Sequence, residues 1–144
     1  MRDGLGYKVG MEKGGKTMGS MGRVYISNAF SLSMIKESPT LVRIEEITTE
    51  KVKEILSLPF TSAIGHTSTA EILSEILEKK IEANRIQIQL DKNDVLIVFQ
   101  LLKRLPEGSV LDKNEIEKLI LERSFKFYLL KIIDDNRENY SFEL

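Results

Sequence analysis

From residue 23 onward, apolar positions recur with two different periods. Arg23 to Asn28, Leu41 to Ile44, Val95 to Leu102 and Phe125 to Ile133 are short runs rich in β-branched and aromatic residues, the signature of strands. Asn84 to Leu90 alternates cleanly, with Arg85, Gln87 and Gln89 on one side and Ile86, Ile88 and Leu90 on the other. With Asp91 to Asp94 as the turn, it predicts a hairpin with the run from Val95. That second run is apolar on both faces and is expected at the centre of a sheet.

Helical spacing appears three times. Thr49 to Leu58 places Val52, Ile55 and Leu56 on one face and is closed by Pro59. Ser68 and Glu71 fit a capping box ahead of Ile72, Leu73, Ile76 and Leu77, leaving Glu75, Glu78, Lys79 and Lys80 to solvent. Asp112 and Glu115 repeat the box before Ile116, Leu119 and Ile120. Between the first two strands, Asn28 to Ser33 breaks the pattern, and a short helical turn around Met34 and Ile35 ends at Pro39. The order is strand, turn, strand, helix, helix, hairpin, helix, strand. It predicts a single α/β domain over residues 23–133, a mixed sheet of about five strands flanked by helices.

The ends read differently. Residues 1–22 hold seven of the nine glycines and four of the five methionines without apolar periodicity, and are expected to be a flexible leader. Met18 or Met21 could serve as the natural start, making the rest an upstream extension. Gly10 to Thr17 matches the phosphate-binding pattern G-x-x-x-x-G-K-[ST], but no buried strand precedes it and no helix follows, so it predicts no nucleotide site. Residues 134–144 read as a polar tail.

Composition narrows the chemistry. The 144 residues include no cysteine, which removes disulfides, thiolate zinc sites and cysteine nucleophiles. One histidine cannot build a histidine-rich metal centre, and no metal or other cofactor is expected, although a carboxylate-held magnesium stays open. No apolar run reaches the ~20 residues of a membrane span. The net charge is −1, and since the leader carries +2 the remainder carries −3. That balance argues against coating long DNA or RNA. An anionic ligand would be held by a few local cations.

The lone histidine, His66, sits in Ser62-Ala63-Ile64-Gly65-His66-Thr67-Ser68-Thr69, within a residue or two of a helix start. There, unpaired N–H groups and the helix dipole favour a phosphate, and an imidazole can donate or take a proton. A capping or buried histidine is the plainer alternative. Outside the leader only Gly65 and Gly108 remain, one beside His66 and one beside Glu107, so both loops have a residue that tolerates positive φ or a close ligand.

Four blocks, Val24-Tyr25-Ile26-Ser27-Asn28-Ala29-Phe30-Ser31, Ser62 to Thr69, Asn84-Arg85-Ile86 and Arg104-Leu105-Pro106-Glu107-Gly108, together resemble the viral ring nucleases over residues 23–133. These are anti-CRISPR proteins of archaeal viruses and bacterial mobile elements. The resemblance implies a homodimer in the host cell cytoplasm that binds cyclic tetra-adenylate, the messenger of type III CRISPR systems. It further implies cleavage without metal to linear di-adenylates ending in a 2′,3′-cyclic phosphate. His66 stands at the general acid, Arg104 and Glu107 in the second catalytic block, and Asn28, Ser31, Arg85, Ile88 and Gln100 at ligand contacts. Two other classes stay open: a protein that sequesters the messenger without cutting it, and a small viral nucleic-acid-binding regulator.

Overall fold

A computed structural model describes residues 22–103 and 112–133. Its elements are β1 (Val24–Ser27), a 3₁₀ turn (Leu32–Met34), β2 (Leu41–Ile47), α1 (Thr49–Ile55), β3 (Thr61–Ala63), α2 (Thr67–Leu77), β4 (Val95–Leu101), α3 (Lys113–Glu122) and β5 (Phe125–Ile133). The five strands form one sheet in the order β2-β5-β4-β1-β3. β1 runs parallel to β3 and β4, and β5 runs antiparallel to β4 and β2, which makes the sheet mixed, as expected.

β4 is the middle strand, and its double-sided apolar pattern explains why. Val95, Ile97 and Phe99 point into a cluster with Val52, Ile55 and Leu56, with Ile72, Leu73, Ile76 and Leu77, and with Ile116 and Leu119. The rings of Phe99, Phe125 and Phe127 pack there with centroids 5.3–5.9 Å apart. Leu96 and Val98 point the other way, into a second cluster with Tyr25, Met34, Ala63, Ile88, Leu90 and Leu130. The buried side chains of all three helices belong to the first cluster, so the helices share one face of the sheet. The other face is covered by the 3₁₀ turn and by the chain approaching β4.

The predicted hairpin does not form. Both flanks of β4 are occupied, by β1 and β5, and residues 84–90 instead cross the helix-free face between isolated bridges at Ala83–Ile64 and Leu90–Ile35. Their alternation holds from Gln87 to Leu90, where Ile88 and Leu90 are buried and Gln87 and Gln89 exposed, whereas Ile86, expected on the inward face, is 43% exposed beside the exposed Arg85. A period of two reports which side chains turn inward, not which backbone lies alongside. The fifth strand is β3, a polar triplet with no strand signature, recruited by its parallel register with β1.

Two helix ends also differ from expectation. α1 stops at Ile55, since Ser57 folds back on the carbonyl of Glu54 through both its hydroxyl, at 2.6 Å, and its N–H, at 3.2 Å. α2 starts at Thr67 with His66 as its N-cap, so Ser68 and Glu71 lie inside the helix and form no box. The box before α3 is present, with Glu115 N–H donating to Asp112 Oδ1 at 2.8 Å and Asp112 N–H donating to Glu115 Oε1 at 3.1 Å.

At the amino ends of β1 and β4, a buried carboxylate fastens the chain. Asp94 accepts from Arg23 N–H through Oδ1 at 2.9 Å and from Asp91 N–H through Oδ2 at 2.8 Å. Gly22 N–H donates to the Asn93 carbonyl at 2.7 Å, so close that a Cβ on Gly22 would collide with Asp94 Oδ1. Burial pushes the Asp94 carboxyl above its ordinary 3.8, against the downward pull of its two backbone donors. The raised value means that the folded state holds this proton more tightly than the unfolded chain. The protonation-linked part of its stability is therefore complete below the ordinary value and lost as pH rises through the folded one, while the two backbone bonds remain. Asp94→Asn has one oxygen for two donors and is expected to cost about 1–2 kcal/mol in urea unfolding near pH 7. It should also remove this component of the pH dependence; unchanged stability and an unchanged pH profile would refute the reading.

Candidate functional site

Three parallel strands, β1, β3 and β4, end on the same side of the sheet, where open α/β sheets commonly hold ligands. Ser27 lies level with Ala63 and Val98, while β4 continues to Leu101. The buried Ser27 hydroxyl donates to the Ala63 carbonyl at 3.5 Å and accepts from Ala29 N–H at 3.3 Å. This ties the ends of β1 and β3 together as both chains turn away.

The loop after β3 is then held from two directions. Asn28 Oδ1 accepts from Gly65 N–H at 3.4 Å, and Arg85 Nη2 donates to the Gly65 carbonyl at 3.5 Å. Arg85 reaches that carbonyl because residues 82–84 are strapped to β3. Asn84 donates to the Ile64 carbonyl through its backbone and to the Ser62 carbonyl through Nδ2, each at 2.7 Å, and Ser62 Oγ donates to the Glu82 carbonyl at 2.6 Å.

His66 follows as the N-cap of α2, in extended backbone at φ −132° and ψ 135°, its carbonyl accepting from Ala70 N–H at 3.0 Å. It is exposed and its imidazole makes no capping bond. A serine, threonine, aspartate or asparagine here would accept from the first turn. The residue is thus exposed at the positive end of an eleven-residue helix, immediately after the Gly65 carbonyl that accepts from Arg85. Such an arrangement can receive a phosphodiester and move a proton at its oxygen.

Residues 24–129 match the family described as STIV B116-like. The chain belongs to this family. Among solved structures it is similar to B116 of Sulfolobus turreted icosahedral virus, at 30% identity and a TM-score of 0.65, covering 76% of this chain and 99% of that one. Similar family proteins include uncharacterized protein 26 of Sulfolobus islandicus filamentous virus, 34% identical over 76% of this chain and 92% of its own. Uncharacterized protein YddF of Bacillus subtilis is 36% identical over 74% and 97%. The family fold is thus shared by viral and bacterial proteins, and the single mixed-sheet domain expected from the sequence is the B116 fold.

Of the sequence-derived site residues, the fold brings Asn28, His66 and Arg85 together around Gly65. Ser31 is exposed and caps the 3₁₀ turn, accepting from Ser33 N–H at 3.2 Å and sharing a hydrogen bond with the Ser33 hydroxyl at 2.9 Å. Gln100 is exposed near the end of β4, opposite Lys126 and on the helix-free side. Ile88 is buried in the second cluster, where its side chain packs as core. Arg104 and Glu107 lie outside the described residues, as do Gly108 and the glycine-rich motif at 10–17. Gly65 does not adopt positive φ, and a Cβ there would meet Arg85 Nε at an ordinary 3.9 Å, so its backbone does not demand glycine. Ser27, Ser62 and Asn84 were not legible as loop fasteners. A serine ending an apolar strand was the only hint.

The uncapped start of α2 yields a test of stability alone. His66→Ser supplies the missing acceptor and should stabilise the protein by about 0.5–1 kcal/mol, read as a higher thermal midpoint. A lower midpoint would mean that the imidazole holds the helix start by some other contact.

Proposed function

We propose that this B116-like protein is a metal-independent ring nuclease that binds cyclic tetra-adenylate and cuts it to linear di-adenylates with 2′,3′-cyclic phosphates. The observation that carries this reading is the exposed imidazole of His66 at the head of α2, without a capping bond among the described residues, next in sequence to the Gly65 carbonyl that Arg85 holds. The four sequence blocks that resemble the ring nucleases support it, as does membership of a family with several viral proteins.

A ribose 2′-OH within the ring is the nucleophile, so the protein supplies alignment, charge and a proton. The 2′-oxygen bonds to phosphorus, the P–O5′ bond breaks, and His66 protonates the departing 5′-oxygen. The first N–H groups of α2 and the Arg85 guanidinium offset the charge that builds on the phosphoryl oxygens. Arg104 is assigned the same electrostatic task, and Glu107 orients or deprotonates the 2′-OH. Asn28, Ser31, Ile88 and Gln100 form the seat of the ligand. Two cuts on opposite sides of a ring suit a two-fold homodimer acting in the host cytoplasm, where loss of the messenger would silence type III CRISPR signalling.

Incubation of the purified chain with labelled cyclic tetra-adenylate in EDTA should give linear di-adenylate. His66→Ala should keep binding and lose cleavage by ~10²-fold or more. Intact ring recovered from tight complexes would make the protein a sequestering module, and full turnover by the variant would remove His66 from the mechanism.

A further inference from the structure

The two edges of the sheet are treated differently. β3 is covered along its outer side by the strap at residues 82–84. β2, at the other edge, pairs only with β5 among the described residues, and presents a seven-residue outer edge without glycine or proline. Such edges are ordinarily blunted by charge, bulges or cover. β2 has charges, but in a self-complementary arrangement.

Register with β5 assigns its faces. Arg43 and Glu45 lie on the helix side, opposite Lys131 and Leu129, while Val42, Ile44 and Glu46 lie on the helix-free side, opposite Ile132, Leu130 and Tyr128. Ile44 is 57% exposed, and Arg43 and Glu45 already form an ion pair at 3.0 Å along the strand. Suppose a second copy extends the sheet about a two-fold axis normal to it. Each face then meets itself, so only residues of like parity can stand opposite, and the axis must pass through a residue. An axis at Arg43 sets arginine against arginine. Axes at Glu45 or Glu46 set carboxylates together, and one at Val42 retains only a three-residue overlap. An axis at Ile44 sets Ile44 against Ile44, Arg43 against Glu45 twice and Leu41 against Ile47 twice, with Val42 facing Glu46 twice as the one indifferent pair. Opposite charges and apolar pairs across strands are the favourable combinations.

We propose that β2 is a self-association edge, pairing antiparallel with β2 of a second copy in the single register centred on Ile44. The pairing consumes both edges and closes at two copies, so the same charges that exclude other registers prevent open-ended growth. β2 and β3 stand four strand spacings apart, about 19 Å, so this axis keeps the two His66 side chains far from one another. It is therefore separate from any two-fold that lets two histidines share one ring, and it does not depend on the proposed activity. One such ladder is small beside the ~1,200–2,000 Å² of a standard interface, which points to micromolar association.

The absence of native cysteine makes the register directly testable. Facing residues in an antiparallel pair have Cα atoms about 4.5–5.5 Å apart, within disulfide reach. Under mild oxidation at high micromolar protein, Ile44→Cys should cross-link to itself, whereas Glu45→Cys, which faces Arg43, should not. In sedimentation, Arg43→Glu and Glu45→Arg should each weaken this association at least several-fold, and the double exchange should restore it. Circular dichroism would confirm that these surface variants fold. Equal cross-linking at 44 and 45, no cross-linking at 44, or no rescue by the double exchange would each overturn the proposal.

Discussion

The structure depends on one strand that has to be dry on both sides. β4 buries Leu96, Ile97 and Phe99 almost completely, and a strand with apolar side chains on both faces is stable only with a layer above, a layer below and a neighbour along each edge. Helices supply one layer. The other is built from irregular chain, the 3₁₀ turn and residues 84–90, which contributes Met34, Ile88 and Leu90. Because β1 lies parallel to β4 and β3 parallel to β1, satisfying β4 also brings three carboxyl ends to one place. The location of the candidate site thus follows from the packing of the core.

What the sequence disclosed, and what it hid, follows from the same physics. Periodicity identified the buried faces of α1, α2 and α3 and the central place of β4, since burial is what hydrophobic spacing encodes. It failed at β3, where Thr61, Ser62 and Ala63 carry no apolar pattern and pair with β1 through the backbone, with only Ala63 adding a buried side chain. It also failed at the hairpin, because packing on a sheet face and pairing at a sheet edge leave the same alternation in Ile88 and Leu90. At the site, His66, Arg85 and Asn28 were legible as residue types, whereas their meeting around Gly65 required the long-range bonds from β1 and from residues 82–85.

His66 departs from what local stability favours. The position is an N-cap, for which histidine is a poor occupant, and the residues after it include three hydroxyls that would have served. Placing them inside the helix leaves the imidazole at the positive end of the dipole without a capping bond among the described residues. Asn28 and Arg85 fix the preceding peptide, so the backbone under the ring is defined even though the ring caps nothing. Positions that break a local rule while their surroundings are tightly held are where function is expected.

The clasp at Asp94 gives the sheet two unlike ends. Gly22 and Arg23 are fastened to the turn before β4, at the amino end of β1, whereas the loops around His66 leave from its carboxyl end. Four residues of strand, about 13 Å, separate the two ends. Gly22 and Arg23 are therefore held at the pole opposite the loops around His66. The described fold is polar in an architectural sense, with a buried anchor at one end of β1 and the candidate site at the other, so that strain on the anchor reaches the site along the strand itself.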